Sequence, residues 1–266
     1  MYDAKTQIER ANLLKSLHIK GNPLILFNIW DAGSAKIIQE AGAKVIATSS
    51  WSVAASHGLE DGEKLSFDLV IANLKRIIDK VDIPVTIDLE GGYGRSPSEI
   101  QETVKKVIET GAVGINFEDQ IVGGEGLYSV EEQCARIKAI REEANRAEIP
   151  FFINARTDIF FKADSSNHNE EHVEEAILRS FAYADAGASG FFAPGLKDAK
   201  HIKKLCERSP LPVNIIMIPG ILSSKQLAEL GVARISYGHK PYCQAIDDLK
   251  EEGRKALNDL DVFLPF

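Results

Sequence analysis

The chain is poor in cysteine: Cys134, Cys206 and Cys243 stand far apart in 266 residues. An odd, scattered set builds neither a disulfide framework nor a zinc site, and it suits a reducing cytoplasm. No apolar run approaches the length of about 18 residues that a membrane-spanning helix needs, so no span is expected. The opening segment, MYDAKTQIERANLLKSLH, is charged and amphipathic and lacks an apolar stretch of the secretory type, so no signal peptide is expected. Basic residues are outnumbered, 31 Lys and Arg against 39 Asp and Glu, and the formal charge of −8 argues against a nucleic-acid or anionic-membrane surface. A small anionic substrate is not excluded, because a metal ion and one arginine can reverse the local sign.

Linkers, low-complexity tracts and shifts of composition are also missing, which points to one domain over residues 1–266. Hydrophobic residues make up 44%, enough for a sizeable core. Short apolar or β-branched runs recur near 24–30, 44–48, 84–88, 113–118, 150–156, 190–193, 212–217 and 233–237, with helical patterns between them. Parallel neighbours need crossover connections, so this alternation predicts a parallel sheet. The odd-numbered strands follow Pro23, Pro84, Pro150 and Pro212, whereas the even-numbered ones follow Gly42, Gly111, Gly187 and Gly231. Proline opens a strand where no ladder bond is yet required, and glycine closes the preceding helix in the left-handed conformation. The odd–even alternation matches the layered interior of a closed (β/α)₈ barrel, the TIM barrel, rather than an open doubly wound sheet. Ser96 with Glu99 and Ser129 with Glu132 fit capping boxes, and residues 3–18 are expected to form an extra helix across the bottom of the barrel.

Active sites of such barrels lie at the C-terminal ends of the strands, and the polar residues collect there. Asp88 and Glu90 close the third strand, Glu118 ends the fourth with Asn116 two positions before it, and Arg156 ends the fifth behind Asn154. Asp61 lies in the loop after the second strand. Four carboxylates near one point require a cation, and oxygen-only donors suit Mg²⁺ or Mn²⁺, which keep several waters and take few direct carboxylates. Arg156 offers a planar fork for a carboxylate, or else a salt bridge to Asp158 or Asp31. The Thr48–Ser49–Ser50 stretch presents hydroxyls and N–H groups to an anion, or is simply a small-residue turn. His239 ends the eighth strand, as a site or a structural histidine, and Lys162 has little to recommend it as a Schiff-base lysine.

The segments NIWDAGSAKIIQEAG, TSSWSVAASHGLEDGE, PVTIDLEGGYG, GINFEDQ and INARTD, in that order, resemble the isocitrate lyase and phosphoenolpyruvate mutase superfamily. The resemblance runs from about Phe27 to Gly238. It implies the same barrel, with its last helix exchanged between subunits of a tetramer. It also implies Asp88 as the direct Mg²⁺ ligand, with Asp61, Glu90 and Glu118 acting through water, Ser49 and Ser50 holding substrate, and Arg156 binding its carboxylate. Two departures stand out. Glu90 replaces the usual aspartate, and the loop DQIVGGEGLYS after Glu118 lacks the Lys-Lys-Cys-Gly-His run of isocitrate and methylisocitrate lyases. The lysine and asparagine of a phosphoenolpyruvate mutase are missing there as well.

The expected activity is a Mg²⁺-dependent carbon–carbon lyase or decarboxylase acting on a small 2-oxo or 2-hydroxy acid through an enolate. Arg156 and Glu118 are candidate catalytic groups, and the loop offers Glu125 and Tyr128 as a base. The alternatives are a phosphonopyruvate-type hydrolase or mutase of a phosphorus–carbon bond, and a metabolite-binding protein without chemistry. The expected partners are a small carboxylic acid and further copies of the chain, as a dimer or tetramer.

Overall fold

Eight short strands occupy the cores of the eight expected runs in a computed structural model that describes residues 4–164 and 167–258. They are β1 (Leu24–Leu26), β2 (Ile46–Ala47), β3 (Val85–Asp88), β4 (Gly114–Glu118), β5 (Phe152–Arg156), β6 (Gly190–Phe192), β7 (Val213–Ile216) and β8 (Arg234–Ser236). The helices of the first half are α1 (Ala4–Ser16), α2 (Ala32–Glu40), α3 (Ser50–Ser56), α4 (Phe67–Ile78), α5 (Pro97–Glu109) and α6 (Val130–Arg146). Those of the second half are α7 (Ile159–Lys162), α8 (Glu170–Asp185), α9 (Ala199–Arg208), α10 (Ser224–Glu229) and α11 (Lys240–Asn258).

All neighbouring strands pair in parallel, in the order β1-β8-β7-β6-β5-β4-β3-β2. The ring closes between β1 and β2 through a parallel bridge from Ile29 to Thr48, with the Ile29 N–H donating to the Ala47 carbonyl at 2.9 Å. The fold is therefore a (β/α)₈ barrel. Both expected capping boxes form, on α5 through Ser96 and Glu99 and on α6 through Ser129 and Glu132. A cap of this kind contributes about 1 kcal/mol by satisfying orphan N–H groups. The four glycines that end helices before the even strands all carry φ between 92 and 105°. That is the left-handed region, where a side chain would be strained.

Helix α1 seals the N-terminal end of the barrel, the side away from the site. Gln7 donates from Nε2 to the carbonyls of Ile108 and Ala112, both at 2.9 Å, and Leu14 is fully buried. Along β4, side chains alternate with the period of two of a strand. Ile115 and Phe117 pack into the apolar core, whereas Asn116 joins a polar network inside the barrel. There Asn154 donates to Asn116 and Asn214 at 2.9 and 3.0 Å, and the buried Arg234 donates to Asn116 Oδ1 at 2.9 Å. Burial pushes the Arg234 guanidinium down to about 9. Among the described residues, no helix is long and apolar enough to cross a membrane. Helix α11 buries only Pro241 within the chain and leaves Leu249 67% and Leu257 87% exposed.

Candidate active site

A cavity of about 430 Å³ opens at the C-terminal ends of the strands. That volume lies within the range of small-molecule sites. Asp61, Asp88, Glu90, Glu118, Arg156, Ser49 and Ser50 all line it. Asp88 ends β3, and its backbone N–H donates to Thr48 Oγ1 at 2.9 Å. Its Oδ2 accepts from the Ser50 hydroxyl at 3.1 Å and the Ser50 N–H at 3.3 Å. Its Oδ1 is buried and has no hydrogen-bond partner. A buried carboxylate oxygen left unpaired is costly, so this atom calls for a cation or a donor.

The neighbouring acids are crowded by burial and by one another's charge. Burial, followed by the charge of Asp61, pushes Glu90 up to about 7. Burial holds Glu118 well above the ordinary carboxylate range, against the pull of Arg156. Partial desolvation in the crowded mouth and then the charge of Asp88 raise Asp61, although part of its surface stays open to solvent. Oxygen donors and surplus negative charge fit a hard divalent cation such as Mg²⁺ or Mn²⁺. Among the described residues no group of three or more His, Cys, Asp or Glu side chains could hold a metal ion by itself. A Mg²⁺ ion with one or two direct carboxylates and several waters meets that condition.

The geometry assigns Glu90 contacts that the sequence did not disclose. Its Oε2 accepts the N–H groups of Gly62 and Glu63 at 2.8 and 2.7 Å, and its Oε1 accepts from Tyr93 Oη at 3.2 Å. Glu63 returns the contact by accepting the Tyr93 N–H at 2.8 Å. Glu63, Glu90 and Tyr93 have φ of 58, 53 and 54°, left-handed values at non-glycine residues. Such backbone costs on the order of 1–3 kcal/mol per residue and persists only where the surroundings enforce it. The interlocked loops enforce it here and set the position of Asp61 against Asp88.

Arg156 is held on two sides. Its Nε and Nη2 meet Asp158 Oδ1 and Oδ2 at 2.6 and 2.9 Å, and its Nη1 meets Glu118 Oε2 at 2.9 Å. Asp158, one of the two structural partners considered from sequence, is fully buried. Asp31, the other, instead caps α2 by accepting the Ser34 N–H at 2.7 Å. Of the five N–H groups of a guanidinium, two remain for a ligand. Ser49 caps α3, so its hydroxyl has a structural task already. Glu125 lies exposed in the loop after β4 and is not among the residues lining the cavity. The ring of Tyr128 faces the Arg136 guanidinium at 4.0 Å. Lys162 is exposed and does not line the cavity, whereas His239 does.

Asn28 was not singled out from sequence, although a lone polar residue at the end of an apolar strand run is a usable signal. It is buried and lines the cavity. Its Nδ2 donates to the Thr48 carbonyl at 2.8 Å, and its Oδ1 accepts the N–H groups of Tyr237 and Gly238, both at 2.9 Å. The ends of β1, β2 and β8 are thereby tied together at the rim.

A family model described as phosphoenolpyruvate phosphomutase matches residues 14–257. The chain belongs to this family. The wider superfamily is that of isocitrate lyase and phosphoenolpyruvate mutase, and the chain is an enzyme of it. An uncharacterised protein of Mycobacterium tuberculosis is 34% identical over 226 residues, covering 85% of this chain and 81% of its own. The 2-methylisocitrate lyase of Escherichia coli is 30% identical over 202 residues, covering 73% and 65%. A crystal structure titled as a putative phosphonomutase from Burkholderia cenocepacia superimposes with a TM-score of 0.92 at 45% identity, covering 94% of this chain and 99% of that one.

Proposed function

We propose that this enzyme is a Mg²⁺-dependent carbon–carbon lyase or decarboxylase acting on a small 2-oxo or 2-hydroxy acid. The observation that carries this reading is the buried, unpartnered Oδ1 of Asp88 amid the raised carboxyls of Asp61, Glu90 and Glu118. Asp88 would hold the ion directly, and Asp61 and Glu118 through water. Glu90 would act mainly by fixing the loop that carries Asp61. Bound Mg²⁺ supplies a Lewis acid that stabilises the negative charge developing on a 2-oxo acid when the bond between C3 and C4 breaks.

The chain's own residues do the rest. Arg156 orients a substrate carboxylate with its two remaining N–H groups, and Asp158 keeps the guanidinium plane fixed. Glu118, which lines the cavity and is buried against Arg156, is the carboxyl assigned here to move a proton at the reacting carbon. Relatives named 2-methylisocitrate lyase, 2,3-dimethylmalate lyase and oxaloacetate decarboxylase support carbon–carbon bond cleavage as the reaction class. The three cysteines are free, in keeping with a cytoplasmic location, and the uncovered apolar residues of α11 favour a homo-oligomer.

A second reading, cleavage or rearrangement of a phosphorus–carbon bond, is favoured by the 45% identical structure titled as a phosphonomutase. One experiment separates the two: an NMR time course with Mg²⁺ and a panel of 2-oxo, 2-hydroxy and phosphono acids. Release of a pyruvate-type fragment or CO₂ supports the first reading. Release of phosphate, or rearrangement seen by phosphorus NMR, supports the second. Binding of a panel member without any product would overturn both.

A further inference from the structure

The proposed reading leaves the far end of the substrate open, and the two halves of the cavity differ in chemistry. The acids and Arg156 come from β3, β4, β5 and the loops after β2 and β3. The opposite wall, from β6, β7 and the segments that follow them, presents Phe192, Pro194, Ile216 and Ile218. Two aromatic residues stand at the mouth, Trp51 at 38% and Phe161 at 48% exposure, and both line the same cavity. Large exposed aromatics beside a cavity mark a surface that gains by contact with something apolar.

The charges point the same way. Among the described residues, Arg156 is the one lysine or arginine lining the cavity, and Asp158 and Glu118 already neutralise it; His239 lines it too, on the β8 side with its ring 5.0 Å from that of Trp51 rather than on the wall of Phe192, Ile216 and Ile218. Lys162 and Lys240 lie nearby in sequence, but both are exposed and neither lines the cavity. The loop after β4, from Asp119 to Ser129, contains no lysine, arginine or histidine, so it adds no cation beside the cavity either. A second carboxylate or a phosphonate seated against Phe192, Ile216 and Ile218 would lose its hydration uncompensated.

We infer that the cavity takes a 4-hydroxy-2-oxo acid with a single carboxylate and an apolar remainder beyond C4, seated against Phe192, Ile216 and Ile218; breaking the C3–C4 bond leaves an aldehyde and a pyruvate-type enolate, the C4 hydroxyl giving up its proton and C3 taking one up. The inference rests on the proposed 2-oxo-acid chemistry. Within it, the lyase is favoured over decarboxylation of a dicarboxylic acid, and over phosphonate chemistry.

The test is calorimetry on the Mg²⁺-loaded protein with oxalate, pyruvate, 2-oxobutanoate, 2-oxopentanoate, 2-oxohexanoate, 2-oxoglutarate and phosphonopyruvate. Affinity should rise roughly fourfold per methylene along the unbranched series, the equivalent of about 0.8 kcal/mol per buried CH₂. 2-Oxohexanoate should bind at least tenfold tighter than 2-oxoglutarate, which has a second carboxylate in place of apolar carbons. Replacing half-buried Ile218 in Ile218→Lys should narrow or invert that ratio. If 2-oxoglutarate or phosphonopyruvate binds as tightly as 2-oxohexanoate while oxalate binds normally, the substrate class is wrong and the 2-oxo-acid reading survives. If oxalate itself fails to bind, the underlying reading fails and this inference with it.

Discussion

Glu90 grips Glu63 through the backbone: its Oε2 accepts the Glu63 N–H at 2.7 Å, alongside that of Gly62 at 2.8 Å. The longer side chain at this position, where the superfamily resemblance expects aspartate, spans the gap to the neighbouring loop. Glu90→Asp, one methylene shorter, should release both amides. Hydrogen exchange at Gly62 and Glu63 should speed up at least tenfold, and stability should fall by about 1–3 kcal/mol for the lost charge-assisted bonds. Unchanged protection of the two amides would show that the interlock does not hold the loop.

Arg156→Lys tests a residue with two attachments. An ammonium cannot reproduce the paired contact with Asp158, so a fully buried carboxylate would be left poorly compensated. Stability should drop by about 1–3 kcal/mol in urea unfolding, and affinity for oxalate with Mg²⁺ by tenfold or more. A loss of stability with ligand affinity intact would reduce Arg156 to a strut of the barrel wall.

His18 links pH to stability from the opposite end of the barrel. It stacks on Phe152 with ring centroids 4.0 Å apart, and its Nδ1 donates to the Leu14 carbonyl at 2.8 Å. Burial, then the charge of Arg234, pushes it from 6.5 down to about 3. Above pH 6.5 the ring is neutral in both folded and unfolded chains, and there is no penalty. As pH falls from 6.5 toward 3, the unfolded chain takes up a proton that the folded one refuses, so stability is lost at about 1.4 kcal/mol per pH unit. Between pH 7.5 and 5 this site should therefore remove about 2 kcal/mol. His18→Asn should flatten the slope by that amount in urea titrations at the two pH values. Parallel slopes for the two proteins would contradict the assignment.

Helix α11 should lie in a subunit interface. Leu249 and Leu257 are too exposed in the single chain for a stable apolar face. Sedimentation should show an oligomer for the natural sequence, a tetramer if the family resemblance holds. The pair Leu249→Glu and Leu257→Glu should shift it toward monomer. A natural chain that is monomeric at high micromolar concentration would contradict this arrangement.

The barrel was legible because its punctuation is local. Proline before Val85 and glycine before Ala188 impose backbone conformations that no distant contact has to confirm. The acids at the strand ends were legible for a related reason: Asp88, Glu118 and Arg156 end neighbouring strands, and register carries them together. Side-chain partners were less accessible. Whether Arg156 would meet Asp158 or Asp31 depended on which loop folds back toward it, and Asp31 was already engaged as a helix cap. Glu90 read as another acid near a metal because its left-handed backbone, which turns the carboxylate toward Gly62, leaves no trace in composition or spacing. The apolar wall was hidden for the same reason, since Phe161, Phe192 and Ile218 come from three separate segments and meet only once the barrel closes.

A cation held at Asp88 beside a 2-oxo acid is tested most directly by titration of oxalate in the calorimeter. The natural protein should bind oxalate with Mg²⁺ present and lose at least a hundredfold in affinity when the ion is chelated. Asp88→Ala should bind no better than the chelated protein while keeping its circular dichroism and cooperative melt. Equal oxalate affinity with and without chelator, or an Asp88→Ala variant that binds oxalate as the natural protein does, would contradict the proposed chemistry at its centre.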